Sequence, residues 1–175
     1  NGHRLDIKFQ IIAPNEALEA INAECTALED RLDDLQLQAI RGLMTDKILP
    51  EKDPAQLKRS DLQNIIITEG QRGQYDARMN PFVLKVQDIL DRLEHISAVL
   101  NAFRKENETV KKLQGFLHDI RNLAGNATAF VEGIWRPRIG TGRDIDLSLL
   151  LPPRDIGSIL KKAASVGRQM VKAKR

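Results

Sequence analysis

PFVLKVQDILDRLEHISAVLNAF, residues 81–103, is the stretch on which the reading of the fold turns. Phe82, Val86, Ile89, Leu93, Ile96, Leu100 and Phe103 recur at spacings of 4, 3, 4, 3, 4 and 3. That is the period of one face of a helix, and over three heptads it makes a seam suited to packing on another helix. Asn80-Pro81 is expected to open the element, because proline is tolerated in a first turn where its missing N–H costs nothing.

The period continues downstream. After the polar stretch Arg104 to Thr109 it resumes with Val110, Leu113, Leu117, Ile120, Ala124, Ala127 and Val131. Two arrangements fit: one helix to about residue 133, or a hairpin bent at Glu106 to Thr109. Unbroken, the helix would run about 80 Å at ~1.5 Å per residue, too long for one compact domain without partners.

Upstream, Leu18, Ile21, Cys25, Leu28, Leu32, Leu35 and Ala39 repeat the alternation of 3 and 4. Pro14-Asn15 opens this helix with Asn15 as its cap, and Gly42 with the LPEKDP segment, residues 49–54, ends it. Asp53-Pro54 then carries the signature of another helix start. Leu57, Leu62, Ile65 and Ile66 supply its face, Gly70 and Gly73 break it, and residues 70–80 read as a mobile connection.

Strand signals are few. In RLDIKFQII, residues 4–12, Leu5, Ile7, Phe9 and Ile11 alternate with polar residues. Ile145, Leu147 and Leu149 alternate in the same way. A strand leaves its backbone groups unpaired until it finds a neighbour. These two therefore either pair together or add to a sheet on a partner. The expected fold class is mostly α: heptad-patterned long helices, as a helical bundle or coiled coil, with a small β element from residues 4–12 and 145–150. Along the chain this gives a strand in 1–13, a helical region over 14–133, a basic Pro/Gly loop over 134–154 and a basic amphipathic helix over 155–175. That last helix, capped by Asp155, has Ile156, Ile159, Leu160, Ala163, Val166 and Met170 on one side.

Composition agrees. Of 175 residues, 42% are apolar and only 4% aromatic, against 29% charged. The charge is uneven: residues 134–175 hold 10 Lys/Arg against 3 Asp/Glu, a local +7 in a chain of net +3. Arg136, Arg138, Lys161, Lys162, Arg168, Lys172 and Lys174 form a candidate basic patch for nucleic acid or another acidic surface. Trp135, in Trp135-Arg136-Pro137-Arg138, could stack on a base. The lone Cys25 excludes an intramolecular disulfide and fits a reducing, intracellular or cytoplasmic setting. No apolar run is long enough to cross a bilayer, so no transmembrane segment is expected. The chain begins at Asn1, which leaves any N-terminal signal outside the reading.

Few residues offer chemistry. His3, His95, His118 and Cys25 lack metal-ligand spacing, and no phosphate-binding glycine loop or dinucleotide fingerprint occurs. No cofactor or metal is expected. GTGRDIDLSLLL, residues 140–151, resembles the end of a nucleotidyltransferase site, which would make Asp144 and Asp146 metal ligands; the Gly-Ser helix start that the family places upstream is absent.

HDIRN, residues 118–122, resembles the phosphoacceptor box of two-component sensor histidine kinases, carried on the first helix of a dimeric hairpin. The resemblance implies His118 as phosphoacceptor, Asp119 as its proton-accepting neighbour and Asn122, one turn on, as a group that orients water. Leu123 stands where the family has proline. Read from the residues alone, His118 is a polar residue flanking the seam position Leu117. The leading expectation is a non-enzymatic structural or interaction protein, assembling with itself or another helical protein. Its interface residues would be Leu18, Ile21, Leu28, Leu32, Leu35, Phe82, Val86, Ile89, Leu93, Ile96, Leu100 and Phe103. Phosphotransfer through His118 and nucleic-acid binding through the basic end are the alternatives.

Overall fold

A computed structural model describes residues 14–133, 143–153 and 156–160. The protein is mostly helical, as its periodicity predicts. Helix α1 runs Pro14–Thr45, α2 Arg72–Leu100 and α3 Glu108–Gly133, each packed against the other two. Two short strands, β1 (Ile65–Ile67) and β2 (Arg143–Ile145), pair antiparallel with Ile65 opposite Ile145, Ile66 opposite Asp144 and Ile67 opposite Arg143.

The seams meet inside this bundle. Leu18, Ile21, Cys25, Leu28, Leu32 and Leu35 of α1 are buried, as are Phe82, Val86, Ile89, Leu93, Ile96 and Leu100 of α2, and Val110, Leu113, Leu117 and Ile120 of α3. Each such aliphatic side chain, fully withdrawn from water, contributes about 1.5–3 kcal/mol. Ion pairs align α1 and α2 antiparallel: Arg78 with Asp46 at one end and Arg92 with Glu24 toward the other.

Of the two arrangements left open by the sequence, the hairpin is found. α2 ends at Leu100, the chain turns through residues 101–107, and Asn107 restarts a helix by accepting a hydrogen bond from the Thr109 N–H at 2.9 Å. Phe103, the last seam residue, is half-buried in this turn.

Other expectations are corrected. α2 does not open at Asn80-Pro81; it opens at Arg72 and Pro81 lies inside it. The reason is packing. Tyr75 and Met79, both buried, extend the seam upstream at the same spacing, and their burial outweighs the single backbone bond that Pro81 removes. Residues 72–80 are therefore helix. Asn15 lies within the first turn of α1. Gly42 does not end α1, whose terminus is set by Lys47 in the left-handed region (φ 59). There the Ile48 N–H bonds the Leu43 carbonyl and the Lys47 N–H that of Met44, the paired bonds that close a helix end. Gly42 matters for another reason: a Cβ there would stand 2.5 Å from Cδ of Arg78, whose side chain crosses it to reach Asp46 at 2.9 and 3.0 Å.

The helix expected after Asp53-Pro54 is a single tight turn, Pro54–Gln56, which Asp53 caps through the Ala55 N–H at 3.1 Å. A second such turn, Arg59–Leu62, comes next, and Asn64 at φ 56 redirects the chain into β1. Three consecutive isoleucines explain the outcome, since β-branched side chains favour the pleated form once a neighbour exists. That neighbour lies about eighty residues away in sequence. Ile65 and Ile67 point inward while Ile66 is 65% exposed.

β2 also departs from the expected face of Ile145, Leu147 and Leu149. Ile145 and Leu147 are buried, but the chain curls into the turn Ser148–Leu150, leaving Leu149 45% exposed. The Leu147 N–H prolongs the ribbon to the Leu62 carbonyl at 2.8 Å. The strand expected over residues 4–12 lies outside the described residues, and the partner of β2 is β1.

Candidate functional site

α3 sorts its residues cleanly. Val110, Leu113, Leu117, Ile120, Ala124 and Ala127 face the core. Lys111, Lys112, Gly115, His118, Asp119, Arg121, Asn122, Gly125 and Asn126 are exposed. Gly115, His118, Asn122 and Gly125 are separated by 3, 4 and 3 residues and so form one stripe along the helix. A Cβ added at Gly115 or Gly125 would meet nothing within 4 Å. Among the described residues, nothing packs against either glycine so as to require it. In a helix interior each costs about 0.8–1.0 kcal/mol relative to alanine.

The three residues of the phosphoacceptor resemblance are thus on one solvent-facing helix of an antiparallel hairpin. His118 and Asn122 are neighbours one turn apart, with the flanking positions on the stripe bare of side chains. Such an arrangement leaves the imidazole exposed and the helix backbone open to close approach. The sequence named His118, Asp119 and Asn122; it did not mark Gly115 and Gly125, whose significance rests on the open space around them.

The residues named as an interface have a different place. All twelve except the half-buried Phe103 lie in the chain's own core. Asp146 is committed locally: its carboxylate accepts the Ser148 N–H at 2.8 Å, and the bonds from Ser148 hold it below the usual carboxylate range. Among the described residues no three His, Cys, Asp or Glu side chains are placed to hold one metal ion. Arg136, Arg138, Lys161, Lys162, Arg168, Lys172 and Lys174 lie outside the described residues.

Two further features escaped the periodic reading. Gln36, 2% exposed, donates through Nε2 to the carbonyls of Leu150 at 3.0 Å and Leu149 at 3.4 Å, tying the Ser148–Leu150 turn to α1. Asp33 and Leu37, at 2% and 3%, are buried although they lie off the seam of α1. A wide hollow of about 910 Å³ opens at the end of α1 beside Arg41, Lys47, Glu51 and Lys52. Its charges are mixed and Lys52 is engaged with Asp61 at 3.0 Å, so it selects no ligand class.

No described helix is long and apolar enough to cross a membrane. No protein-family model, curated protein sequence or solved structure matches the chain.

Proposed function

We propose that the protein is a non-enzymatic interaction module that meets a helical partner, or a second copy of itself, through the exposed face of α3 around His118. The observation that carries this reading is the pair Gly115 and Gly125, two helix-weakening residues with open space around them on either side of His118 and Asn122. Their smallness has no use against the described residues of the chain, whereas close approach of another helix does use it. The seams support the same choice indirectly. Their side chains are consumed in the chain's own core, so assembly has to use another surface.

Measuring solution mass over a hundredfold range of concentration, for wild type and for Gly115→Leu/Gly125→Leu, tests the self-association form. Concentration-dependent mass that disappears in the variant is the expected result. A wild type that stays monomeric throughout assigns the face to a different chain.

A second reading is favoured by the joint exposure of His118, Asp119 and Asn122 on one helix of a hairpin. Here the partner is a response-regulator or kinase protein and the interaction is phosphotransfer. The phosphoryl group leaves the carboxylate oxygen of an aspartyl phosphate, or the β–γ bridging oxygen of ATP on a kinase, and forms a P–N bond to the His118 imidazole. The departing carboxylate or ADP carries away the electron pair of the broken bond, and the proton left on the phosphorylated imidazole passes to Asp119 or water. Incubation with a labelled donor should give an acid-labile, alkali-stable label that His118→Gln abolishes and Asn122→Ala prolongs; a label that survives His118→Gln sinks this reading.

A further inference from the structure

The exposed side of α3 carries two charges that the helix itself leaves unmatched. Asp119 and Arg121 are both exposed. Along a helix, a side chain pairs with those three or four residues away. For Asp119 these are Gly115, Phe116, Asn122 and Leu123; for Arg121 they are Leu117, His118, Ala124 and Gly125. None of the first set is basic and none of the second is acidic. Among the described residues neither Asp119 nor Arg121 enters an ion pair, whereas Arg78 and Arg92 on α2 each hold an acid of α1.

The two charges flank the stripe of Gly115, His118, Asn122 and Gly125 on opposite sides. At about 100° per residue, His118 and Asn122 lie within about 20° of the stripe's midline, Asp119 about 80° to one side and Arg121 about 80° to the other. In heptad terms Gly115 and Asn122 take a positions and His118 and Gly125 take d positions. Asp119 and Arg121 are then the flanking e and g, whose charges set how two helices are oriented. Two identical helices meeting along this line about a two-fold axis have two choices. Antiparallel, each flank meets its own counterpart, so Asp119 faces Asp119 and Arg121 faces Arg121. Parallel, each flank meets the opposite one. Asp119 of either copy then faces Arg121 of the other, two residues or about 3 Å away along the axis. Only the parallel choice joins opposite charges, and it does so twice. Lys111, farther along the midline, is already paired with Glu108 at 3.5 Å.

We propose, on the reading that α3 carries the interaction face, that its occupant is a second copy of the chain, with the two α3 helices parallel and Asp119 of each paired with Arg121 of the other. Charge complementarity selects both the occupant and its direction. Gly115 and Gly125, with no described atom in the way of a Cβ, let the two helices come close enough for the pairs to form. His118 and Asn122 fall at the centre, where imidazole and amide supply donors and acceptors for hydrogen bonds across the axis. A chain paired in this way has His118 covered and cannot offer it to a phosphoryl donor.

Sedimentation equilibrium of the full chain at low ionic strength, where such pairs are least screened, tests this. Wild type should dimerise. Asp119→Arg and Arg121→Asp should each weaken the dimer at least about tenfold, because both cross pairs become like-charged. Asp119→Arg/Arg121→Asp should return the dissociation constant to within about threefold of wild type, since the pairs re-form with their signs exchanged. An equimolar mixture of the two single variants should do the same. Cysteine pairing reads the direction. Gly115→Cys and Gly125→Cys should each give a disulfide-linked dimer on mild oxidation, because parallel helices bring every stripe position beside itself. An antiparallel pair has its axis at one height, so only one of two positions about 15 Å apart along α3 can meet its own copy within bonding distance. Cys25 is buried and should give wild type no such link. A wild type that is monomeric at every concentration overturns the proposal and leaves the face to a different chain. A dimer that Gly115→Leu/Gly125→Leu abolishes but the charge variants leave unchanged, or in which only one of the two cysteines links, overturns the parallel pairing and keeps the face. A dimer indifferent to all of these substitutions puts self-association on another surface and overturns α3 as its site.

Discussion

The C-terminal half of α1 and the middle of α3 carry similar apolar spacing and end in opposite surroundings. Between Leu32 and Leu43, α1 is buried at Leu32, Asp33, Leu35, Gln36, Leu37, Ala39, Ile40 and Leu43, on most of its circumference. α3 is buried along one stripe and bare on the other, down to two glycines that no described residue touches. A periodic pattern identifies the face that must be covered. It is silent on whether the remaining faces are covered too, and a face left open is where binding can be selected without disturbing the core.

Four sets of substitutions break or sharpen this contrast. The largest effect is expected in the shared interior: Leu93→Asp/Ile96→Asp places two carboxylates at positions 1% and 2% exposed. Each costs several kcal/mol, and a domain of this kind has about 5–15 kcal/mol in total. Far-ultraviolet circular dichroism should report an unfolded chain. Retained helicity would contradict the burial of the α2 seam between α1 and α3.

Next comes the clamp that makes α1 two-sided. Gln36→Leu keeps the volume but leaves the Leu149 and Leu150 carbonyls without their side-chain donor, at a cost of about 1–3 kcal/mol. Hydrogen exchange should accelerate over residues 143–150 far more than over α2. Uniform exchange across both regions would mean that Gln36 does not anchor the turn.

On the open side the sign reverses. Gly115→Ala and Gly125→Ala should each stabilise the fold, by roughly 0.5–1 kcal/mol, because alanine is the better helix former and the added methyl meets no neighbour. Thermal unfolding of both variants checks this. A loss of stability would show that the face is in fact packed. The smallest effect belongs to His118→Gln, a polar exchange at an exposed position, expected to change stability by under ~0.5 kcal/mol while removing any phosphohistidine.

The sequence made most of the helical architecture legible because each helix has a seam sustained over several heptads, as Val86 to Leu100 shows. It marked Arg104 to Thr109 as the stretch without an apolar face but left one helix and a hairpin both open, and the turn through residues 101–107 decides for the hairpin. It misread Leu57 to Ile66 as a helix because four apolar residues over ten positions fit either period weakly, and only pairing of Ile65 with Ile145 decides for strand. It placed the start of α2 at Pro81 because proline is a strong local signal; Tyr75 and Met79 override it through contacts with other helices. The candidate site was half visible. His118, Asp119 and Asn122 stand out as residue types, whereas the role given to Gly115 and Gly125 needs the space around them.

By itself, then, the amino-acid order determines which faces of the helices are apolar, where helices are interrupted and where the charge lies, because these depend on residues within a few turns of one another. Only the tertiary structure decided that the seams of α1, α2 and α3 close on each other within one chain, that Ile65–Ile67 is a strand, and that Asp33, Gln36 and Leu37 are buried off the seam. Each of those outcomes depends on a partner far away in sequence, and the free energy of burying a side chain depends on what finally covers it, which no local pattern encodes.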